Sequence, residues 1–418
     1  MTTKTFSLQD VDLSNLERFA RNEGWPQFDI LRREAPVHWN PEPRGHGFWS
    51  VTRHADITTV DRDPETFTST KFVNMEDVDE DYMRIRRSML ESDGVRHLAL
   101  RKLIQRDLTG RTLLRYREFL RDITTVTVTE ALKEREFDFV EKVSADFPIQ
   151  VLARLLAVPE SKTGQLIEWG NRIIGNTDPD YGDVLLDDPE SEQFTHLPFR
   201  SPAALEVFEY GRELAAERRG GDGEDLVSRL VNKIPEDGTP LSDNEFDNYF
   251  LLLVVAGNET TRHAISHAML ALINNPDQLH WLQNNPDKMS LAVEELVRWA
   301  SPVYHFRRTA TRDVELDGAQ IREGDKVIMW FASGNRDESV FDDPYTLDLT
   351  RSPNHHITFG NGGPHFCLGS ALARMEITLM FEALLPRIKS IELCGDVTRV
   401  RSNFVNGIKK FPVRVVPA

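Results

Sequence analysis

Apolar positions recur at three- and four-residue steps through most of the chain, and strict alternation is confined to short runs. Residues 94–133, 139–157, 203–219, 243–274, 288–300 and 369–386 carry the helical spacing. Alternating apolar and polar positions mark strands at Val37–Trp39, Phe48–Thr52, Val314–Leu316, Lys326–Trp330 and Phe411–Val416. Asp317-Gly318 and Asn406-Gly407 supply turn signals. The pattern predicts a mainly α fold, α+β by strict count, with small β-sheets. Loop-like composition is concentrated at Asp178–Pro202 and in RRGGDGE at 218–224, both between helical runs and so read as surface loops. There is no repeat and no Gly/Ser-rich linker. Length alone would allow two or three domains, but residues 1–418 read better as one.

The run 243–274 is the most informative helix. Ser242 with Glu245 forms a capping-box start, and Asn275-Pro276 ends it. At about 1.5 Å per residue it would span nearly 50 Å. It is apolar through LLLVVAG and then turns polar at Asn258, Glu259, Thr260 and Thr261. Polar residues and a glycine within a buried helix break local packing rules, and such breaks concentrate at functional sites. A Thr-induced kink with a salt-bridged Glu explains the same residues.

Composition narrows the classes. The 418 residues include 50 Lys and Arg against 67 Asp and Glu, a net charge of −17, which argues against nucleic-acid binding. Two cysteines cannot build a disulfide framework. The first thirty residues hold no long apolar run, and the longest apolar stretch, Phe250–Gly257, is far short of the roughly 20 residues of a membrane span. A soluble, cytoplasmic protein without a membrane anchor is expected.

The segment HHITFGNGGPHFCLGSALAR at 355–374 crowds Gly360, Gly362, Gly363 and Gly369 around Cys367. Helical spacing resumes at Leu368, which would put Cys367 at a helix N-terminus, where the dipole and free N–H groups lower a thiol pKa. A thiolate in a Gly-rich loop beside Phe359 and Phe366 suits a large, flat, apolar cofactor. The residues also admit a buried structural cysteine, or zinc on His355, His356, His365 and Cys367, although the usual zinc spacings are missing.

FGNGGPHFCLGSALAR resembles the haem-binding loop of the cytochrome P450 family, with one extra residue in Gly362-Gly363-Pro364. The longer loop resembles a bacterial subset that oxidises sterols and methyl-branched lipids. The resemblance implies haem b, with Cys367 as metal ligand and Phe359, Gly360, His365 and Gly369 against the cofactor. AGNETT resembles the family's oxygen-binding groove, with Ala256 and Gly257 leaving room at the haem and Glu259 and Thr260 as the catalytic acid–alcohol pair. Glu295 and Arg298, at i and i+3, resemble the family's buried pair, completed by Arg351 as a structural lock. His97, Arg101, Arg308 and His365 match propionate-binding positions, where cationic forks suit carboxylates. Cys394 matches no motif and reads as structural. The four motifs occur in the family's order, and the resemblance runs from about Trp25 to the C-terminal strand.

The implied activity is haem-thiolate monooxygenation of an apolar steroid, terpenoid or methyl-branched lipid with O2. Val255, Val303, Tyr304, His305, Phe306, Phe404 and Val405 are the expected pocket residues, together with walls from 70–93 and 172–205. No flavin or nicotinamide fingerprint is visible, so electrons would come from a ferredoxin and an NAD(P)H-dependent ferredoxin reductase. A basic run of Arg96, Arg101, Lys102, Arg106, Arg111, Arg115, Arg117 and Arg121, against only Asp107 and Glu118, is the candidate landing surface; pairing of these charges within the fold is the alternative. The chain is expected to be a monomer. A peroxide-driven peroxygenase, which would not need Glu259 and Thr260, and a non-enzymatic haem or zinc protein are the competing functions.

Overall fold

The structure, a computed structural model, describes residues 6–43 and 45–418. Its axis is the helix Asp243–Asn274, 32 residues long. Ser242 Oγ accepts the Glu245 N–H at 3.2 Å and the Glu245 carboxylate accepts the Ser242 N–H at 3.0 Å, closing the capping box. At the other end Pro276 opens the next helix and prevents continuation. Helices Asp146–Leu156, Thr163–Ile174, Ala203–Arg218, Met289–Ala300 and Ser370–Leu384 pack around the axis. Residues 261–272 are all buried, the polar ones included, so this half of the helix shows no amphipathic stripe.

A five-stranded sheet lies to one side, in the order Val37–Asn40, Phe48–Val51, Lys326–Trp330, His305–Ala310, Phe67–Thr68. Phe48–Val51 runs parallel to Lys326–Trp330, with Trp49 opposite Val327, and the other pairs are antiparallel. Phe19, Phe28, Tyr304 and Trp330 form an aromatic layer behind it, with Phe19 stacked on Trp330 at 5.9 Å.

Three departures from the sequence pattern have local causes. The helical run 94–133 divides into Gly94–Gln105, Gly110–Leu114 and Arg117–Ala131. Asp107 turns inward to Arg229 at 2.6 Å, and Gly110 takes a positive φ of 60° that restarts the chain in a new direction. The run 139–157 opens as a π-helical turn, Val140–Ser144, before the helix Asp146–Leu156; Pro148 lacks the N–H that a continuous α-helix would need there. The strand His305–Ala310 has no alternation because five of its six residues are buried.

Glu295 and Arg298 are both fully buried. Arg298 donates to the two Glu295 oxygens at 2.7 Å each, and its Nη1 reaches the carbonyls of Asn335 at 2.7 Å and Pro344 at 3.0 Å. Arg351 Nε at 3.2 Å, Asn354 Nδ2 at 3.0 Å and the Asp348 N–H at 3.1 Å complete the Glu295 carboxylate. Helix Met289–Ala300 is thereby fastened to the chain that leads into the cysteine loop. Arg298→Ala leaves a buried carboxylate and two carbonyls short of donors, and such breakage costs about 3–5 kcal/mol. Urea unfolding is expected to show that loss, whereas a change under 1 kcal/mol would deny the lock its structural weight.

Candidate functional site

The cysteine loop is shaped by its glycines and by helix His54–Arg62. Gly360 and Gly362 sit at φ of 84° and 76°. A Cβ on Gly363 would lie 2.2 Å from the Asp61 carbonyl oxygen, so only glycine lets the loop lie against that backbone. Asp61 Oδ2 accepts the Asn361 N–H at 3.0 Å, and Asn361 Nδ2 donates to Thr58 Oγ1 at 2.7 Å. The extra residue of the Gly362-Gly363-Pro364 segment is thus taken up against this helix.

The Cys367 N–H donates to the Phe359 carbonyl at 2.8 Å. The helix begins at Ser370, two residues later than the spacing suggested, and the Gly369 and Ser370 N–H groups face the sulfur. Cys367 has accessible surface but lies deep in the fold. Burial pushes its thiol pKa up, against the backbone donors and the charges of Arg101 and Arg374. The expected depression therefore does not arise in the protein alone; desolvation outweighs the helix terminus.

The proposed carboxylate binders gather beside this loop, each held by a protein group. His97 sets its ring nitrogens against the carbonyls of Met89 (3.0 Å) and Pro364 (3.1 Å), and its ring centroid is 4.0 Å from that of His365. Arg101 donates to the Phe366 carbonyl at 2.6 Å. Arg308 is buried, 3.3 Å from Asp61, and His365 is 3.0 Å from Asp93. Asp61 and Asp93, which orient Arg308 and His365, were not singled out from sequence. An accessible sulfur facing backbone donors, ringed by Arg and His side chains, fits a metal cofactor bearing carboxylates. The zinc alternative finds no support: His356 pairs with Glu294 at 3.0 Å, and among the described residues no cluster of His, Cys, Asp and Glu is arranged to hold a metal. Cys394 is exposed, and its N–H donates to the Pro412 carbonyl at 3.1 Å.

On the long helix Thr260 Oγ donates to the Ala256 carbonyl at 2.9 Å. Glu259 is 2 % exposed and surrounded by Arg262 Nη2 at 2.5 Å, Asn258 Nδ2 at 3.2 Å and His263 Nε2 at 3.4 Å. Burial raises its pKa, but the Arg262 and His263 contributions outweigh it and leave the carboxyl below its usual range. Gly170 gives the carboxylate room, since a Cβ there would be 3.0 Å from Glu259 Oε1. Asn171 Oδ1 accepts from Arg262 at 2.8 Å. Arg262 and His263 stand three and four residues after Glu259, a spacing from which the sequence could have offered them.

A mostly apolar cavity opens against this face of the helix, with about 100 Å³ of room for water-sized molecules and further space open to solvent. Val255, Ala256, Glu259, Thr260, Val303, Phe306, Phe404 and Val405 line it, with Phe72, Ile174 and Phe199 from the two expected wall segments. Three placements differ from expectation. Gly257 faces Leu152, 3.1 Å from where its Cβ would be, instead of the cavity. Tyr304 turns into the aromatic layer and donates its hydroxyl to Asn406 Oδ1 at 2.9 Å. His305 packs on Trp330 at 4.8 Å, with Nδ1 3.0 Å from the Asn403 carbonyl. Val303 and Phe306 line the cavity while the two residues between them do not.

The basic run proves divided. Arg96 pairs with Asp237 at 3.0 Å and Glu245 at 2.7 Å, Lys102 with Glu236 at 2.6 Å, and Arg101 is engaged in the loop. Arg106, Arg115, Arg117 and Arg121 are exposed, and none makes an ion pair with the described residues. The side chain of Arg111 lies outside the described residues.

A mainly helical fold with a cysteine loop below a long, polar-interrupted helix defines a haem-thiolate class of enzyme. The cytochrome P450 family model matches residues 205–392. A steroid C26-monooxygenase of Mycolicibacterium smegmatis is 38 % identical over 98 % of this chain and 93 % of its own length. A methyl-branched lipid omega-hydroxylase of Mycobacterium tuberculosis is 36 % identical over 97 % and 95 %. A Mycobacterium marinum cytochrome P450 in complex with pseudoionone superimposes with a TM-score of 0.88 at 38 % identity, covering 99 % of this chain and 100 % of that one. The chain belongs to the cytochrome P450 family, and it is a monooxygenase with a cysteine-ligated haem.

Glu294 supplies a pH signature. Arg374 at 2.6 Å and His356 at 3.0 Å overcome desolvation and hold its carboxyl down at about 2, against 4.5 ordinarily. A depressed carboxylate stabilises the fold above its unfolded pKa, and that stability is lost as pH falls from about 4.5 toward 2. Glu294→Gln is expected to be less stable at pH 7 and to show a flatter acid limb in that window, read by urea midpoints. An unchanged acid limb would remove Glu294 as its source.

Proposed function

We propose that this monooxygenase hydroxylates an elongated apolar molecule, a steroid, terpenoid or methyl-branched lipid, with Cys367 as the haem ligand. The carrying observation is the apolar cavity that runs along one face of the long helix and ends at Glu259 and Thr260. Its relatives act on steroids and methyl-branched lipids. Haem iron, when bound, supplies the activation of dioxygen and the oxidation of the C–H bond. His97, Arg101, Arg308 and His365 are the groups available to hold the cofactor's carboxylates, by rotating from their present acceptors. Phe359, Gly360 and Gly369 shape the loop against it.

The chain's own chemistry is the handling of protons and of water. Thr260 uses its hydrogen on the Ala256 carbonyl, which leaves lone pairs on Oγ to accept a proton donor in the cavity. Glu259 stays ionised in its cluster with Arg262 and His263, and so takes a proton before it passes one on. Val255, Val303, Phe306, Phe404 and Val405 exclude water and press the target carbon toward Ala256. That a carboxylate–alcohol pair is retained favours the O2-driven reaction over the peroxide-driven one. Among the described residues no helix is long and apolar enough to cross a membrane; we place the enzyme in the cytoplasm as a single-domain monomer.

Thr260→Ala, loaded with haem, is expected to keep the red-shifted Soret band of the reduced CO complex that marks thiolate ligation. Product formed per NAD(P)H should fall several-fold while peroxide rises. Full coupling in that variant would overturn the role given to Thr260, and a CO complex without the thiolate band would overturn the ligand.

Electrons enter, in this reading, from an acidic ferredoxin supplied by its reductase. Arg101 ties helix Gly94–Gln105 to the cysteine loop, so the unpaired Arg106, Arg115, Arg117 and Arg121 lie on elements that follow directly from the loop's neighbour. Exposed charges steer encounter and lose effect with salt. Arg106→Glu is expected to slow reduction and flatten its dependence on ionic strength in stopped flow. Unchanged rates would move the docking surface elsewhere.

A further inference from the structure

The cavity has a second polar end. Arg86, Ser88, Glu91 and Asn248 line it there. Asn248 precedes Thr260 by twelve residues on the same helix, about 18 Å along its axis. Asn248 Nδ2 donates to the Ile85 carbonyl at 2.8 Å and the Asn244 carbonyl at 2.7 Å. Both partners can only accept, so the orientation of the amide is fixed and Oδ1 is left as an acceptor. That Oδ1 is buried and has no partner. Arg86, next in the chain to Ile85, donates from Nη1 and Nη2 to Glu76 at 3.0 and 2.7 Å, and from Nη1 to the Thr195 carbonyl at 3.0 Å. Its Nε is buried and unpartnered. The two residues are 3 % and 4 % exposed. Buried polar atoms are nearly always satisfied, and here one donor and one acceptor are left over on two residues that line the same cavity and are joined through the Ile85 carbonyl.

An alcohol complements that pair: its oxygen accepts from Arg86 Nε–H and its hydrogen goes to Asn248 Oδ1. A ketone satisfies only the arginine. A carboxylate satisfies only the arginine and sets its charge against the lone pairs of Asn248 Oδ1. We propose that Arg86 and Asn248 form a hydroxyl-binding subsite, so that the preferred substrate is an elongated apolar alcohol oxidised at the end remote from its hydroxyl. This rests on the apolar-substrate reading above and names the polar group within it.

The test uses the haem-loaded enzyme and its substrate-induced Soret shift. Two alcohol–ketone pairs serve as probes: 5α-cholestan-3β-ol with 5α-cholestan-3-one, and 6,10,14-trimethylpentadecan-2-ol with its 2-ketone. The alcohol is expected to bind about ten-fold more tightly than the ketone of the same pair, as leaving a buried acceptor unpaired dictates. In Asn248→Leu the ratio should fall to near one. General damage to the pocket weakens both members alike and leaves the ratio standing. Equal affinities in the parent enzyme, or an unchanged ratio in Asn248→Leu, overturn the subsite and leave the apolar-substrate reading intact. If no member of either pair shifts the spectrum, both fall.

Discussion

The fold turns on a fully buried ion cluster. Glu295 receives five donors, from Arg298, Arg351, Asn354 and the Asp348 backbone, and Arg298 spends its remaining N–H on carbonyls of Asn335 and Pro344. Charges taken out of water are favourable only when nearly every lone pair and proton is matched. Here they are matched by segments far apart in sequence. The cluster specifies a single path for the chain between the sheet and the cysteine loop, and a loop that must present one sulfur requires one path. Asn335 extends the arrangement: its side chain bonds Ser301 Oγ, Thr358 Oγ1 and the Ile357 N–H, which carries the constraint to the start of the loop.

The long helix meets the opposite demand. Its polar interruption at 258–261 would weaken an isolated core helix, and the protein offsets part of that cost by pairing the charge of Glu259. Glu259 has Arg262 and Asn258, while Ser144 Oγ bonds Ser266 Oγ at 2.6 Å one turn further on. Gly170 and Gly211 thin the neighbouring helices where Glu259 and Phe250 approach. At the functional turn the carbonyl of Ala256 is held by Thr260.

What the sequence made legible followed from local rules. The capping box at Ser242, the stop at Pro276 and the turn at Asp317-Gly318 all act within a few residues, and each is present where predicted. The buried strand His305–Ala310 lacked the alternation that would have announced it, and so Tyr304 and His305 were assigned to the cavity when they belong to the layer behind it. Asp61 and Asp93 were silent because their partners lie some 250–300 residues away. The thiol pKa was misjudged for a related reason: a helix terminus can be read locally, whereas the depth at which the sulfur sits depends on the whole fold.

The electrostatics of the cavity carry a consequence for what it admits. Each charge in the wall brings its own counter-charge: Glu259 has Arg262, and Arg86 has Glu76, which Arg200 also meets at 2.7 Å. Glu91 is pushed toward its neutral form by burial. The cavity thus offers a visiting molecule no free charge, and an anion entering it would forgo hydration without a cation in return. Neutral molecules with little polar surface lose least on entry. Polarity at both ends of an apolar wall then fixes which way round such a molecule lies. The selection is made by desolvation along the wall and the orientation by the few polar atoms at its ends.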